Sequence, residues 1–414
     1  MLNILKLSYL LIKEYLYFLY HKDYNKWIQN NIYNISEINI LYIKLFQSLA
    51  YNNELIDETI NKHIIKYTNN VPFFKSDIDE SLLINLQKQY NLLFDSFTPI
   101  NSGLISLIFK AKYRDGKDII LKIKRKNIDI ILNNSIEEIN GLINIISFFP
   151  IVKKLKIKEI FHKNIYLLKE QLNFDLEINN IQKFQDICKN IDYVVIPHVY
   201  TEMTFQYPNV IMMEFIKGKQ LHSLDMNNIL LKKAYSKMIL KISILSFLSG
   251  NIHGDLHSGN ILFLEDEVPK ICLLDFGLVL KIDKNVIKLF FNIIEDLYEK
   301  DAEELSVNLL KIIINNFELL NKAHSDNLLK IITEIIHNVK IKNNKYNIYH
   351  YFQCINIVIK YIDKHKLTNY LNEDFYKLNV SFFMSSSIIT KLCHIELFEL
   401  MNDVCNELFH IDLL

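Results

Sequence analysis

The chain has 414 residues, half of them hydrophobic and 23% charged, so it can fill a sizeable core, and global disorder is excluded. Forty-seven basic residues balance forty-seven acidic ones. The zero net charge offers no basic face for nucleic acid, so nucleic acid is not expected as a partner. Five cysteines (Cys188, Cys272, Cys354, Cys393, Cys405) lie scattered in apolar segments without a Cys-x-x-Cys pair, which fits buried, reduced thiols in a reducing intracellular compartment.

In chain order, Leu2 to Tyr20 reads as an amphipathic helix. Lys6, Lys13 and Glu14 interrupt it too often for a secretory signal or a membrane-spanning helix. It suits packing on its own domain, with a membrane surface as the alternative partner. Further helices are expected over Glu37 to Leu49, Asp57 to Asn69 and Glu80 to Phe94, where apolar residues recur three and four apart. Ile105 to Tyr113, the turn Asp115-Gly116 and Asp118 to Ile123 form a β-hairpin. Helical segments broken at Gly141 and Pro150 continue through Phe184. A second strand pair follows, Tyr193 to Val199 with Asn209 to Glu214, and then a helix over Met226 to Phe247. Residues 278 to 414 contain neither Pro nor Gly and must be helical, in four or five helices with Asn-rich joints near 340 to 347.

The most informative stretch is His253-Gly254-Asp255-Leu256-His257-Ser258-Gly259-Asn260, followed by Leu274-Asp275-Phe276-Gly277. An Asp and an Asn five positions apart, then an Asp-Phe-Gly, repeat the spacing of a kinase phosphoryl-transfer centre. Asp255 would face the acceptor hydroxyl, while the Asn260 amide oxygen and the Asp275 carboxylate would hold Mg²⁺ on the nucleotide phosphates. Asn260 opens the strand-like run Ile261 to Leu264, and Asp275 closes Ile271 to Leu274. Lys122, in the strand Ile119-Ile120-Leu121-Lys122-Ile123, is the candidate for contacting the phosphates of bound ATP or ADP. The residue before Asp255 is Gly254, where protein kinases usually carry an Arg, and no Ala-Pro-Glu follows Gly277. A peptide acceptor is therefore disfavoured.

These motifs, in this order, resemble the UbiB/AarF family of atypical kinases from about residue 35 to about 290. Lys44-Leu45-Phe46-Gln47 is similar to the family's Lys-x-Gly-Gln, with Phe46 in place of Gly, and Lys44 and Gln47 carry over. Pro99 to Ala111 stands where the family has an Ala-rich nucleotide loop, with Ser102 and Gly103 as its small residues. Gln171 to Asn180 resembles Glu-x-Asp-Tyr-x-x-Glu-Ala-x-Asn. Gln171 and Asn173 replace its two acids, so the carboxylate expected to orient Lys122 is missing there, leaving Glu177 or the adjacent Glu170 to substitute. Glu214, with Gly218, resembles the hinge whose backbone faces adenine.

The resemblance implies an α+β, bilobal protein-kinase-like fold, mostly helical, with a helical N-terminal extension. The expected divisions are an extension over 1–95, a small lobe with inserted helices over 96–216 and a helical large lobe over 217–414. It further implies ATP or ADP and Mg²⁺ as cofactors, and phosphoryl transfer or ATP hydrolysis with a non-protein target near isoprenoid lipid. The alternatives are a pseudokinase that responds to nucleotide or lipid without turnover, and a small-molecule phosphotransferase of the aminoglycoside or choline type.

Overall fold

The computed structural model describes residues 2–50, 58–64, 70–146, 165–289, 301–343 and 348–392, apart from Met226 and Asp266, with a few positions between 400 and 408. Two compact units divide it: residues 1–181 with 197–216, and residues 182–196 with 217–414.

The first unit opens with α1 (Leu2–His21), α2 (Tyr24–Ile38), α3 (Ile40–Ala50) and α4 (Glu58–Ile64). Of these, α2 was not foreseen; its Asn-rich sequence hides a buried stripe of Ile28, Ile32 and Ser36. Helix α5 (Glu80–Tyr90) stops earlier than expected, because Asn91 adopts the left-handed conformation and closes it. Leu93–Phe94 then forms a short strand, β1.

The expected hairpin is present as β3 (Ser106–Lys112) and β4 (Asp118–Lys124), in register from Ser106↔Lys124 to Lys112↔Asp118. Its turn needs glycine: Gly116 has φ +83°. β1 and β2 (Asn101–Ser102) both pair with β3, and β6 (Val210–Glu214) pairs with the far side of β4. Along β4, Ile119, Leu121 and Ile123 point into one core with Leu107, Phe109, Val210 and Met212. Period-2 alternation therefore sends Lys122 to the opposite face.

One expectation fails between the strands. Helix α6 (Ile128–Ile146) runs unbroken through Gly141, where an added side chain would meet no neighbour. A mid-helix glycine costs only about 1 kcal/mol, and the apolar face outweighs it. Pro150 lies outside the described residues. Helix α7 (Phe174–Ile187) and the short α8 (Thr201–Gln206) follow.

The segment 193–199 does not simply pair with β6. Its start, β5 (Val194–Val195), runs parallel to β9 in the second unit, and only Val199 bridges to Met213.

In the second unit, α9 (Ile229–Leu248) is capped by Asn228 and packs against the strand pair β8 (Ile261–Leu264) and β9 (Lys270–Leu273). The fully buried Tyr235 stacks edge-on with Phe263, and its hydroxyl donates to the Leu264 carbonyl at 2.8 Å. β7 (Asn251–His253) pairs with β10 (Val279–Lys281), so the region after Gly277 begins with a strand rather than a helix. Beyond it come α10 (Ala302–Ile313), α11 (Lys322–Asn343), α12 (Ile348–Lys364) and α13 (Glu373–Leu392). The first three share a core with Phe375 of α13. No helix among the described residues is long and apolar enough to cross a membrane.

Candidate active site

Lys122 and Glu177 meet inside the first unit. The Lys122 ammonium donates to Glu177 Oε1 at 2.6 Å, and the two side chains are only 9% and 1% exposed. Of the two acids left to substitute for the one absent at Gln171, Glu177 is the partner of Lys122. Glu170 instead stands beside Tyr166, where its hydrogen bond pushes the phenol above its usual range. Asn173 has a different task. Its side chain accepts from the Leu176 amide at 3.1 Å and caps the start of α7, the helix that presents Glu177 one turn later. An Asp there would cap equally well, so losing the acid leaves the helix start intact. The Phe174 ring lies 5.9 Å from the same ammonium and covers it.

Ser102 and Gly103 lie at the edge of the same sheet. Ser102 is buried, and its hydroxyl contacts the Asn70 side chain at 2.8 Å as well as the Val71 carbonyl. The Gly103 amide donates to the Ser106 carbonyl at 2.8 Å. Leu104 and Ile105 turn into the core formed with α2, α3 and α6. The tie on this loop is a residue the sequence reading passed over: Arg125, itself buried. Its guanidinium donates to the Gly103 carbonyl at 2.8 and 3.1 Å and to the Pro72 carbonyl at 3.0 and 3.1 Å. Asp77 neutralises it at 2.7 Å. Burial pulls this guanidinium below the usual arginine value, against the opposing pull of Asp77. One of only two arginines in a lysine-rich chain, with Arg114, was the available signal.

Lys44 sits on α3 in this unit, partly buried beside the core residues Ile43 and Phe46. Gln47 is on the same helix, but its side chain lies outside the described residues. Glu214 ends β6 with an exposed side chain, and its amide donates to the His198 carbonyl at 2.9 Å.

The second unit holds the loop residues. The Asp255 amide donates to His253 Nδ1 at 3.3 Å, and the Asn260 side-chain nitrogen donates to the Asp255 carbonyl at 2.9 Å. The Gly259 amide donates to His257 Nδ1, and His257 Nε2 stands 3.9 Å from an Asp255 carboxylate oxygen. The Leu274 amide donates to the Asn260 carbonyl, and Asp275 Oδ1 accepts from the Gly277 amide at 2.9 Å. Main-chain bonds therefore link the two motifs and fix Asp255, Asn260 and Asp275 in one tied segment. Because Asn260 spends its side-chain nitrogen inward, its side-chain oxygen is the end that could meet a cation.

Behind this segment an aromatic column stabilises the motif. The Phe276 ring lies 5.2 Å from His253 and 5.0 Å from Phe184, and Phe184 meets His253 edge-on at 5.9 Å. Burial drives the His253 pKa down, so this imidazole stays neutral, although Asp255 and Asp275 pull the other way. Phe184 was not foreseen either; on sequence it is one apolar position of an amphipathic helix.

Gly254 has a steric reason. An added Cβ would stand 2.8 Å from Leu278 Cγ and 3.0 Å from Leu280 Cγ, so β10 occupies the space that an Arg side chain would need. Gly218 is confined likewise: an added Cβ would stand 2.7 Å from Leu264 Cδ2 and 2.9 Å from Leu262 Cβ.

Among the described residues, no group of three or more His, Cys, Asp or Glu side chains could hold a metal alone. A Mg²⁺ that arrives with a nucleotide asks a protein for one or two oxygen ligands and takes the rest from phosphates and water. Asn260 and Asp275 are oxygen donors of that kind.

These features define a kinase-like fold of mixed helix and sheet. Residues 66–309 match the ABC1 atypical kinase-like domain, and the chain belongs to that family. It is 29% identical over 262 residues to a Clostridium pasteurianum protein described by its place in the hydrogenase 1 5′ region, covering 60% of this chain and 47% of that one. It is 26% identical over 254 residues to the AarF domain-containing protein kinase 1 of Xenopus laevis, covering 57% and 46%. To the "Probable protein kinase UbiB" of Shewanella baltica it is 25% identical over 273 residues, covering 61% and 49%. The chain thus spans about half the length of these relatives. Among solved structures, the complex of Rv3197 with erythromycin from Mycobacterium tuberculosis superposes with a TM-score of 0.50 at 17% identity, covering 91% and 93% of the two chains. That likeness concerns the fold alone.

Proposed function

We propose that this protein binds ATP or ADP with Mg²⁺ and transfers the terminal phosphoryl group to a non-protein acceptor or to water. The observation that carries the reading is the buried Lys122–Glu177 pair at 2.6 Å. Burying two charges costs several kcal/mol per ion before their attraction is counted, so the pair is a poor purely structural device. A cation held rigid by a carboxylate is what phosphate recognition needs.

In this reading Lys122 contacts the nucleotide phosphates, Glu177 fixes its direction, and Glu214 marks the backbone that meets the base. Ser102 and Gly103 would border the phosphates by shape rather than as donors, since the Ser102 hydroxyl and both backbone amides are already bonded within the protein. The family resemblance would add Lys44 and Gln47, both in α3, to the nucleotide's surroundings. Asn260 and Asp275 hold Mg²⁺, which supplies charge neutralisation on the phosphates. Asp255 accepts the proton of the attacking hydroxyl, and His257 orients that carboxylate.

A non-protein acceptor is supported by the chain after Gly277. β10 starts at Val279 and pairs with β7 at once, so residues 279–281 are committed to a strand where a peptide would otherwise dock. An isoprenoid-type lipid acceptor is the class that the family resemblance favours.

The test compares wild type with Asp255→Asn, using Mg-ATP-dependent thermal shift and phosphate release. At a hundred times Kd, nucleotide should stabilise both proteins by about 2.7 kcal/mol. Turnover should fall about 10²–10⁴-fold in the variant only. A shift without turnover in wild type makes the protein a pseudokinase, and no shift at all refutes both readings. Phosphate appearing only with an added amino alcohol or aminoglycoside identifies the small-molecule phosphotransferase.

A further inference from the structure

Helix α1 presents a wide apolar face to solvent. Leu5, Tyr9, Ile12, Leu16 and Leu19 follow one another at intervals of four and three and are 52–70% exposed, with Tyr15 and Tyr20 flanking them at 55% and 84%. At 100° per residue these seven side chains cover a sector of about 140°. Ser8 is the one polar side chain in that sector among the described residues. The opposite side packs on α2, where Phe18 meets Trp27 at 5.2 Å and Tyr24 at 6.3 Å. An isolated soluble helix does not keep such a surface without an occupant.

The charges identify the occupant. The exposed lysines Lys6 and Lys13 lie together just beyond the Tyr20 edge of the sector. The one acid of the helix, Glu14, is buried on the α2 side and accepts a hydrogen bond from Asn34 at 3.2 Å. The outward half of α1 is therefore apolar at its centre, tyrosine at its borders and cationic along one margin, with no acid. Tyrosines prefer the boundary between hydrocarbon and water, and lysines extend their ammonium groups to the headgroups while the stems stay apolar.

A second copy of the chain fits less well. The four-three spacing could form a coiled-coil seam, but Lys6 and Lys13 would occupy a flanking register with no acid opposite, and the sector is wider than a two-position seam. We propose that α1 docks this protein in the plane of an anionic lipid surface, Leu5, Ile12, Leu16 and Leu19 entering the acyl boundary and Lys6 and Lys13 pairing with lipid phosphates. At 20 residues the contact would be about 30 Å long.

Flotation of the full chain with vesicles tests this. Vesicles of phosphatidylcholine with one-third phosphatidylglycerol should carry the protein upward, and pure phosphatidylcholine much less. Ile12→Asp with Leu16→Asp should lower partitioning about tenfold or more without moving the thermal melt, since both side chains are exposed. Replacing Lys6 and Lys13 with Gln should weaken binding to anionic vesicles about fivefold each and leave the residual neutral-vesicle binding unchanged. No flotation, or flotation indifferent to Ile12 and Leu16, overturns the proposal. So does a vesicle-independent dimer in sedimentation that the double Asp variant dissociates, which would make the face an interface between copies. Free inorganic phosphate that matches the vesicles in competing for the lysines would show anion binding alone and equally refute lipid docking.

Discussion

Replacing Glu177 with Gln isolates the Lys122 pair. The side chain keeps its size and an oxygen to accept the lysine proton, so packing is preserved and only the counter-charge is lost. Lys122 is then a cation 9% exposed and held by a neutral amide. Breaking a buried pair from one side typically costs 3–5 kcal/mol. Retained hydrogen bonding and the nearby Phe174 ring place this case at the low end, about 3 kcal/mol. A unit of this size loses about 2–4 °C of melting temperature per kcal/mol, so a fall of roughly 6–12 °C is expected. Nucleotide should bind more weakly as well, because the lysine is no longer aimed. The companion Lys122→Met should also destabilise, and the double variant should recover much of the loss, giving a coupling free energy of about 1–3 kcal/mol. Circular-dichroism melts of the four proteins, with and without Mg-ADP, measure all of this. If Glu177→Gln melts with wild type and the cycle shows no coupling, the pair neither holds the unit nor orients the lysine, and the assignment of Lys122 fails with it.

Other consequences are as direct. Arg125→Lys forfeits the forked contacts to Gly103 and Pro72 and should cost about 3 kcal/mol by urea denaturation; an unchanged midpoint would show that the 102–106 loop holds itself. Gly254→Ala drives a methyl into Leu278 and should destabilise by about 1–3 kcal/mol, whereas an unaltered melt would mean that β10 yields freely. His253, whose pKa lies below its ordinary 6.5 because it is buried, should make stability constant above about pH 6.5 and falling as pH drops below it, since the unfolded chain takes up the proton first. A variant with Asn at 253 should lose that part of the slope in pH-dependent melts. Cys188 and Cys354, with thiols pushed up to about 12 by burial, should resist iodoacetamide in the native protein and react on unfolding; rapid native alkylation of either would contradict their placement.

The parts legible in the sequence are those where local chemistry and tertiary demand agree. Asp115-Gly116 between alternating strands could make little but a turn, and the Asn260 and Asp275 motifs sit at strand edges as their flanking apolar runs imply. Among the described residues, the absence of Pro and Gly after 277 signals α10 to α13 and misses the strand β10, which β7 recruits. What the sequence hides depends on distant partners. Gly141 looks like a break because the apolar face that sustains α6 is visible only once α3 packs on it. The stretch 193–199 looks like one strand because nothing local announces that Val194 joins Ile271 while Val199 joins Met213. Gln171 suggests an empty counter-ion position because linear matching cannot tell whether Glu170 or Glu177 reaches Lys122. Arg125 and Phe184 escape notice because a buried guanidinium and one more apolar helix position acquire meaning only from what surrounds them.

The close fit of Gly254 beneath Leu278 and Leu280 has a consequence for control. Protein kinases that are switched on by a phosphorylated threonine or tyrosine sense it with the cation that precedes the loop aspartate. Here that sensor has no room, and the polypeptide after the Asp-Phe-Gly is consumed in pairing with β7. An Arg introduced at position 254 would have to displace Leu278 and Leu280 before it could read any covalent mark on this stretch.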